Sequence, residues 1–289
     1  MHFRSRNNHS SQSTFRTRLE RLESREMFCS VALSGTNLFI TGDHADNQIY
    51  IEDTGYGKVH VSCDGPWDEF ENIEHISLDS GIGHDIVFYN QWTHRTQDIE
   101  FDAFLGDGDD HFYAGVYGDT ETSTRLSIKV DGERGADNIN VDLLGGIHDG
   151  AAIRLDLDGG ESNDKISVLG KSPNPIDGDL LLRAAGGDGD DRVEVIIDVA
   201  AGSTGRLTGI DESSPAHVSG GSGSDTLSFV VRGEEIEGFF VNAIIDGDAG
   251  RRPVDEGDDR GVRTNNVRSI GLEVDCVFSE DDLLQCGIE

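Results

Sequence analysis

The sequence has little of several things, and each shortage excludes something. There are five prolines and four cysteines in 289 residues. Cys29, Cys63, Cys276 and Cys286 show no CxxC spacing and no neighbouring histidine pattern, which argues against a zinc knuckle. Cys276 and Cys286, ten residues apart, could close a small disulfide loop in an exported chain or remain separate thiols. No run of 18 apolar residues exists, so no helix is expected to span a membrane. Basic residues are few, 23 against 56 acidic ones, for a formal net charge of -33. Nucleic acid and anionic membrane are poor partners for such a chain, because both demand Lys and Arg to neutralise phosphates. No HExxH, GxSxG or Walker motif occurs, and the four lysines (Lys58, Lys129, Lys165, Lys171) are dispersed. His84, His94, His111 and His148 are also scattered and read as solvated side chains. No catalytic site is expected.

Glycine is abundant, at 37 residues, and its placement is periodic. Anchoring on the Asp that follows each Gly-rich turn gives Asp85, Asp110, Asp137, Asp164, Asp191 and Asp225, spaced 25, 27, 27, 27 and 34 residues apart. The flanks repeat with them. Nine before the anchor stand Ile76, Phe101, Ile128, Leu155 and Leu182; seven before, Leu78, Ala103, Val130, Leu157, Ala184 and Val218. Two after stand Val87, Phe112, Ile139, Ile166, Val193 and Leu227; four after, Tyr89, Ala114, Val141, Val168, Val195 and Phe229. Apolar side chains at every second position, with polar Lys129, Asn140, Arg154, Asp156 and Glu194 between them, predict half-buried strands. Each unit therefore reads strand, Gly/Asp turn, strand, variable turn. No comparable stripe has a period of 3.6.

The expected fold is all-β: a parallel β-solenoid (β-roll or β-helix) of about six coils. The alternative is an antiparallel meander closed as a barrel or sandwich. A fixed 27-residue phase favours the stack, because each rung must fit the last. Residues 35–289 are expected to form one β-repeat domain, with the best repeats over 73–232 and a mobile, polar, Gly-rich loop over 251–266. Asp46, followed by Ile49 and Ile51, is the candidate for a first, diverged rung, residues 27–60 for a cap, and Asn266–Leu272 for a final strand.

The turns Gly81–Asp85, Gly106–Asp110, Gly132–Asp137, Gly159–Asp164, Gly186–Asp191 and Gly220–Asp225 resemble the RTX, or haemolysin-type, repeat GGxGxDxUx. That resemblance implies a parallel β-roll holding several Ca²⁺ ions between successive turns. The residues it implies as ligands are Asp85, Gly106, Asp107, Gly108, Asp109, Asp110, Asp137, Asp164, Gly187, Asp188, Gly189, Asp190, Asp191, Gly221, Gly223 and Asp225. The chemistry agrees: Gly permits φ > 0, Asp supplies oxygen, and Ca²⁺ takes six to eight oxygens that two stacked loops can offer. Stacked carboxylates about 4.8 Å apart would repel by roughly 3.5 kcal/mol at an effective dielectric near 20, a cost a bound cation removes. The chain departs from the pattern in having one such loop per 27 residues, in Arg134 within the third loop, and in Gly159–Asp164 lacking the second glycine.

Residues 1–34 read as a disordered, basic targeting segment. Within it Leu19-Glu20-Arg21-Leu22-Glu23-Ser24-Arg25-Glu26-Met27-Phe28 resembles the LExLExRxLL motif of planctomycete exported proteins, with Met27-Phe28 in place of two leucines. That resemblance implies secretion or cell-surface sorting. Three functions fit: a calcium-binding structural or adhesive module of the cell surface, a calcium-free β-solenoid scaffold for a protein partner, and, less well, a β-helix polysaccharide lyase. Calcium, a surface protein or a glycan are the expected partners.

Overall fold

The computed structural model describes residues 29–211, 213–233, 238–246, 260–261, 274–278 and 283–288, the last three stretches by backbone alone. The N-terminal motif lies outside the described residues, as does Asn266–Leu272. In chain order the strands begin with β1 (Ser30–Ser34), β2 (Asn37–Thr41), β3 (Gln48–Asp53), β4 (Val59–Cys63) and β5 (Trp67–Phe70). A regular series follows: β6 (His75–Asp79), β7 (Ile86–Gln91), β8 (Ile99–Phe104), β9 (His111–Val116), β10 (Arg125–Asp131), β11 (Asn138–Leu143), β12 (Ala152–Glu161), β13 (Lys165–Gly170), β14 (Asp179–Asp188) and β15 (Arg192–Val199). Then come β16 (Arg206–Thr208), β17 (Ala216–Ser222), β18 (Thr226–Gly233), β19 (Phe240–Val241), β20 (Ala243–Asp246), β21 (Arg260–Gly261), β22 (Val274–Phe278) and β23 (Leu283–Ile288). No helix occurs among the described residues.

The strands form two open, mixed sheets of mostly parallel strands. One has 13 strands along the path β1-β2-β6-β8-β10-β12-β14-β17-β20-β23-β22, with β16 and β19 beside it; the other has 10, in the order β21-β18-β15-β13-β11-β9-β7-β3-β4-β5. From β6 to β15 neighbours within a sheet are alternate strands in sequence, so the chain crosses from one sheet to the other at each turn of this series. An antiparallel meander would pair consecutive strands, and the closed barrel or sandwich does not form. The architecture is solenoid-like. Its register is the one the repeat dictates: Phe101 pairs with Ile128, Ile128 with Leu155, and Leu155 with Leu182 in the first sheet. In the second, Phe112 pairs with Ile139, Ile139 with Ile166, and Ile166 with Val193. These residues are fully buried, because period-2 alternation turns one face of each sheet toward the other. Between the sheets Tyr89, Phe101 and Phe112 pack ring to ring at 5.0 and 5.9 Å.

The parallel stack extends past the six expected coils. The first rung is anchored by Asn47, not Asp46: Ile49 and Ile51, two and four residues beyond Asn47, pair with Val87 and Tyr89. The antiparallel hairpin β4–β5 lengthens this first unit, and antiparallel β1 and β22–β23 finish the other ends. Among the described residues the fourth sheet end is the short parallel strand β21. Ser30–Ser34, expected within the targeting segment, is thus part of the domain. Arg260–Gly261, inside the expected 251–266 loop, pairs with β18. A disulfide joins Cys29, at the head of β1, to Cys63, at the end of β4, with Cα atoms 5.6 Å apart. Cross-linking across 34 residues removes about 3.8 kcal/mol of unfolded-chain entropy in the simple loop model. The backbones of Cys276 and Cys286 stand opposite each other in the β22–β23 register.

The cap end also holds a fully buried cation. Arg95 is 0 % exposed and ion-paired to Asp53. Its guanidinium donates to Tyr89 Oη at 3.1 Å, to Gln91 Oε1 at 3.0 Å and to the Gln97 carbonyl at 3.1 Å, while Tyr89 Oη donates to Asp53 Oδ2 at 2.6 Å. Two buried charges are tolerable because donors and acceptors are matched.

Candidate functional site

The Gly/Asp turns stack along one edge of the molecule, where the chain passes from the first sheet to the second. Two positions in each turn need positive φ. Four residues before the anchor stand Gly81, Gly106, Gly160, Gly187 and Gly221, with φ between 93° and 113°. Two before stand Gly83, Gly108, Gly135, Gly189 and Gly223. Glu133 (φ 64°) and Ser162 (φ 92°) occupy these places in the two diverged loops. The turn geometry therefore survives where glycine does not, at a local strain cost.

The bend turns each anchor carboxylate inward, and the six anchor Asp residues are 0–3 % exposed. They form a file bonded from coil to coil. The Asp85 N–H donates to Asp110 Oδ1 at 2.6 Å, Asp110 to Asp137 at 2.7 Å, Asp137 to Asp164 at 2.7 Å, Asp164 to Asp191 at 2.7 Å and Asp191 to Asp225 at 2.8 Å. Asn47 heads the file, its N–H donating to Asp85 Oδ1 at 2.7 Å. The second oxygen of Asp85, Asp110, Asp137, Asp164 and Asp191 is buried without a hydrogen-bond partner. Burial, reinforced by the neighbouring carboxylates and opposed by the donating backbone N–H groups, raises these acids: Asp85 above its usual range, Asp110 to about 7, Asp137 to about 8, Asp164 to about 7 and Asp191 to about 6.

The remaining acidic residues of the loops are elsewhere. Asp107 and Asp188 lie on an outer column, with Ile82, Arg134, Glu161 and Ser222. There Arg134 sits 3.8 Å from Asp107 and 3.5 Å from Glu161, so its charge answers this outer column and not the anchor file. Asp109 and Asp190 cap backbone: Asp109 Oδ1 accepts from the Ala136 N–H at 2.9 Å, and Asp190 Oδ1 from the Ser224 N–H at 2.9 Å. His84 belongs to the same column, its Nδ1 accepting from the Asp109 N–H at 3.0 Å. Of the residues read as ligands, the structure therefore gathers Asp85, Asp110, Asp137, Asp164, Asp191 and Asp225 into one file. Asp107, Asp109, Asp188 and Asp190 are held apart from it. Gly106, Gly108, Gly187, Gly189, Gly221 and Gly223 shape the turns.

The glycine five residues before the anchor is fixed by close packing of oxygens. A Cβ placed on Gly132, Gly159 or Gly186 would lie 2.4–2.5 Å from the Oδ2 of its own anchor and 2.0–2.4 Å from the next coil's carbonyl, that of Gly159, Gly186 or Gly220. Only glycine lets the anchor's Oδ2 and the next coil's carbonyl oxygen pack this closely against the backbone, and the arrangement repeats up the stack. Oxygen donors, anionic charge and unpartnered Oδ2 atoms suit a hard divalent cation. Among the described residues no three His, Cys, Asp or Glu side chains stand at coordinating distance from a shared point. Backbone carbonyls and several coils would have to complete each coordination shell.

Sequence reasoning missed two further groupings. The histidines are not all scattered: His94 and His148 meet on the opposite edge of the coils, around Asp119 and Glu121. And six aromatic rings form a continuous strip on the outer face of the 10-stranded sheet. Tyr50 stacks on Phe88 at 5.1 Å and tilts against Trp67 at 6.3 Å; Phe88 meets Tyr113 at 6.0 Å; Tyr113 Oη lies 2.9 Å from Tyr117 Oη; and Tyr117 stacks on Trp92 at 4.3 Å. Both tryptophans of the chain, about half exposed, end this strip. The outward parity of Tyr50, Phe88 and Tyr113, one residue from the core positions, was the available signal.

The chain matches no protein-family model, and no curated protein and no solved structure is significantly similar to it.

Proposed function

We propose that this chain is an exported calcium-binding repeat protein with a structural or adhesive role at the cell surface and no catalytic role. The observation that carries this reading is the file of buried carboxylates along one edge, of which Asp85, Asp110, Asp137, Asp164 and Asp191 are raised and half-satisfied. Like charges in such a file are costly in low dielectric unless protons or cations neutralise them. Asp85, Asp110, Asp137, Asp164, Asp191 and Asp225, with loop carbonyls such as those of Gly159, Gly186 and Gly220, would hold the ions. Bound Ca²⁺ would supply positive charge between coils and turn repulsion into cohesion. The resemblance to RTX turns supports this, and the LExLExRxLL resemblance and the Cys29–Cys63 disulfide support export to an oxidising, calcium-rich exterior. We read the coarse architecture as a β-roll-like parallel solenoid.

Thermal melting of the full chain by circular dichroism, in EDTA, in millimolar Mg²⁺ and in millimolar Ca²⁺, tests the reading. A melting temperature raised by Ca²⁺ well beyond Mg²⁺, with most of the gain lost in Asp137→Asn, is expected. Identical melting in all three conditions would remove calcium and leave a calcium-free scaffold.

The adhesive face is the aromatic strip. Two half-exposed tryptophans at the ends of a strip of partly buried rings on a sheet suit the C–H faces of a polysaccharide, and the net charge of -33 points to a neutral glycan. Affinity electrophoresis through neutral polysaccharide gels should retard the wild type, and Trp92→Ala should abolish most of the retardation. Equal mobility of the two proteins on every glycan would sink this assignment.

A further inference from the structure

The outer face of the 10-stranded sheet has a glycine at one of its outward positions. Gly115, in β9, stands between Asn90 on the preceding coil and Asp142 on the following one. Its φ is not in the left-handed region, so the backbone does not demand a glycine here. A neighbouring side chain does. A Cβ on Gly115 would lie 2.4 Å from Cε2 of Tyr117 and 2.7 Å from its Cζ and Oη. Only a bare backbone lets the Tyr117 ring fold back over the strand.

Seated there, Tyr117 is held on two sides. Its ring stacks on Trp92 at 4.3 Å, the planes 5° apart. Its Oη lies 2.9 Å from Tyr113 Oη, and Tyr113 Oη donates to Asp142 Oδ2 at 2.9 Å. A phenol has one proton, so the order of the chain is fixed: Tyr117 donates to Tyr113, and Tyr113 to Asp142. Burial, with these same hydrogen bonds, lifts the Tyr113 phenol above its ordinary range, so it keeps its proton. What the chain leaves over is acceptors: the lone pairs of Tyr117 Oη, and Asp142 Oδ1, which has no partner among the described residues. Both flank Tyr113 Oη, close enough together for adjacent hydroxyl groups of one ring to reach both. Trp92, more than half exposed, borders them.

An indole beside two acceptors calls for a ligand with C–H surface and O–H donors at its rim, which is the chemistry of a sugar ring. We propose that Trp92, Tyr117 and Asp142 form the hydrogen-bonding subsite of the aromatic strip, where two neighbouring hydroxyl groups of a neutral sugar donate to Tyr117 Oη and Asp142 Oδ1. The proposal rests on the glycan reading of the strip and adds the groups that choose among glycans. Stacking on tryptophan is nearly indifferent to which hydroxyls a sugar carries. A fixed pair of acceptors is not, because a sugar without the matching donors leaves them unpaired. Gly115 and Tyr113 are positioning residues: the first seats the Tyr117 ring, and the second sets the direction of the hydrogen-bond chain.

The test is affinity electrophoresis of the full chain through gels of hydroxyethylcellulose, galactomannan and dextran, with far-UV dichroism as the control for folding. Asp142→Ala removes one acceptor. Gly115→Ala keeps every polar group and pushes the Tyr117 ring off its seat, a movement that the far end of a side chain can make without unfolding the strand. On a gel that retards the wild type, each variant should bind about tenfold more weakly. The same glycan after O-methylation, which has no hydroxyl left to donate, should retard the wild type no more than it retards Asp142→Ala. If both variants bind as tightly as the wild type while Trp92→Ala does not, the subsite is overturned and the tryptophan reading stands. Equal retardation of the wild type by free and O-methylated glycan overturns the subsite as well. A wild type that no gel retards overturns both.

Discussion

At the scale of the residue, the turns show what each position is for. The anchor Asp was legible because it recurs in phase with the strands. Its partner was not, because a bond from one coil's N–H to the next coil's Oδ1 joins residues 25 to 34 apart. Asn47 escaped for a related reason: aspartate spacing passes over an asparagine whose backbone N–H starts the file on Asp85 Oδ1 at 2.7 Å, while its own Oδ1 accepts locally from the Asp43 N–H at 2.9 Å. The diverged turns were visible as missing glycines, and the structure shows the consequence. Ser162 holds φ at 92° where other turns have glycine. Ser162→Gly should therefore stabilise the protein by about 1 kcal/mol, since an L-residue in this region costs roughly 1–2 kcal/mol. Gly187→Ala should do the reverse and more, because its Cβ would sit 2.1 Å from the Gly160 carbonyl oxygen at a φ of 113°. Urea unfolding of both variants checks the pair; a destabilised Ser162→Gly would show that the serine makes a compensating bond.

At the scale of the element, periodicity carried nearly all the legible information. The pairing of Leu78, Ala103, Val130, Leu157 and Ala184 follows from placing each seven residues before its anchor. A stack transmits register from coil to coil, so one alignment fixes every strand pair in it. The elements that break the phase were the illegible ones. The β4–β5 hairpin stretches the first interval to 38 residues, and β16 and its turns stretch another to 34. The Cys29–Cys63 bridge joins capping segments that belong to no repeat, so spacing gave it no weight beside Cys276 and Cys286. The Arg95 cluster is hidden for the opposite reason. Arg95 lies in a variable turn whose polar composition reads as solvent-facing, yet Asp53 and Tyr89 from two other strands draw it inside. His94 and His148 are invisible in sequence for the same cause, since only the stack brings variable turns together.

At the scale of the whole molecule, the buried file makes stability depend on pH in an uncommon direction. In the folded chain Asp110, Asp137, Asp164 and Asp191 hold their protons up to about 6–8, whereas unfolded aspartate releases them near 3.9. A group whose folded pKa is raised contributes stability that is fully present below its unfolded pKa and is lost as pH rises through its folded pKa. Without divalent cations the melting temperature should therefore fall as pH goes from about 5 to about 8, by about 5 °C or more for a chain of this size. Asp119, held low by the Gly146 and Asn174 hydrogen bonds and by the two imidazoles against the pull of burial, works the other way, but as a single residue. Calcium and protons would compete for the same oxygens, so Ca²⁺ should restore stability at pH 8 and change little at pH 5. Asp137→Asn should flatten the pH dependence, because an amide keeps the Oδ1 acceptor and carries no charge, as Asn47 does at the head of the file. Melting curves in EDTA across this range, with and without excess Ca²⁺, decide the matter. A melting temperature that is flat or rises between pH 5 and 8 would mean that the file is hydrated or otherwise neutralised, and the electrostatic case for cations along this edge would fall with it.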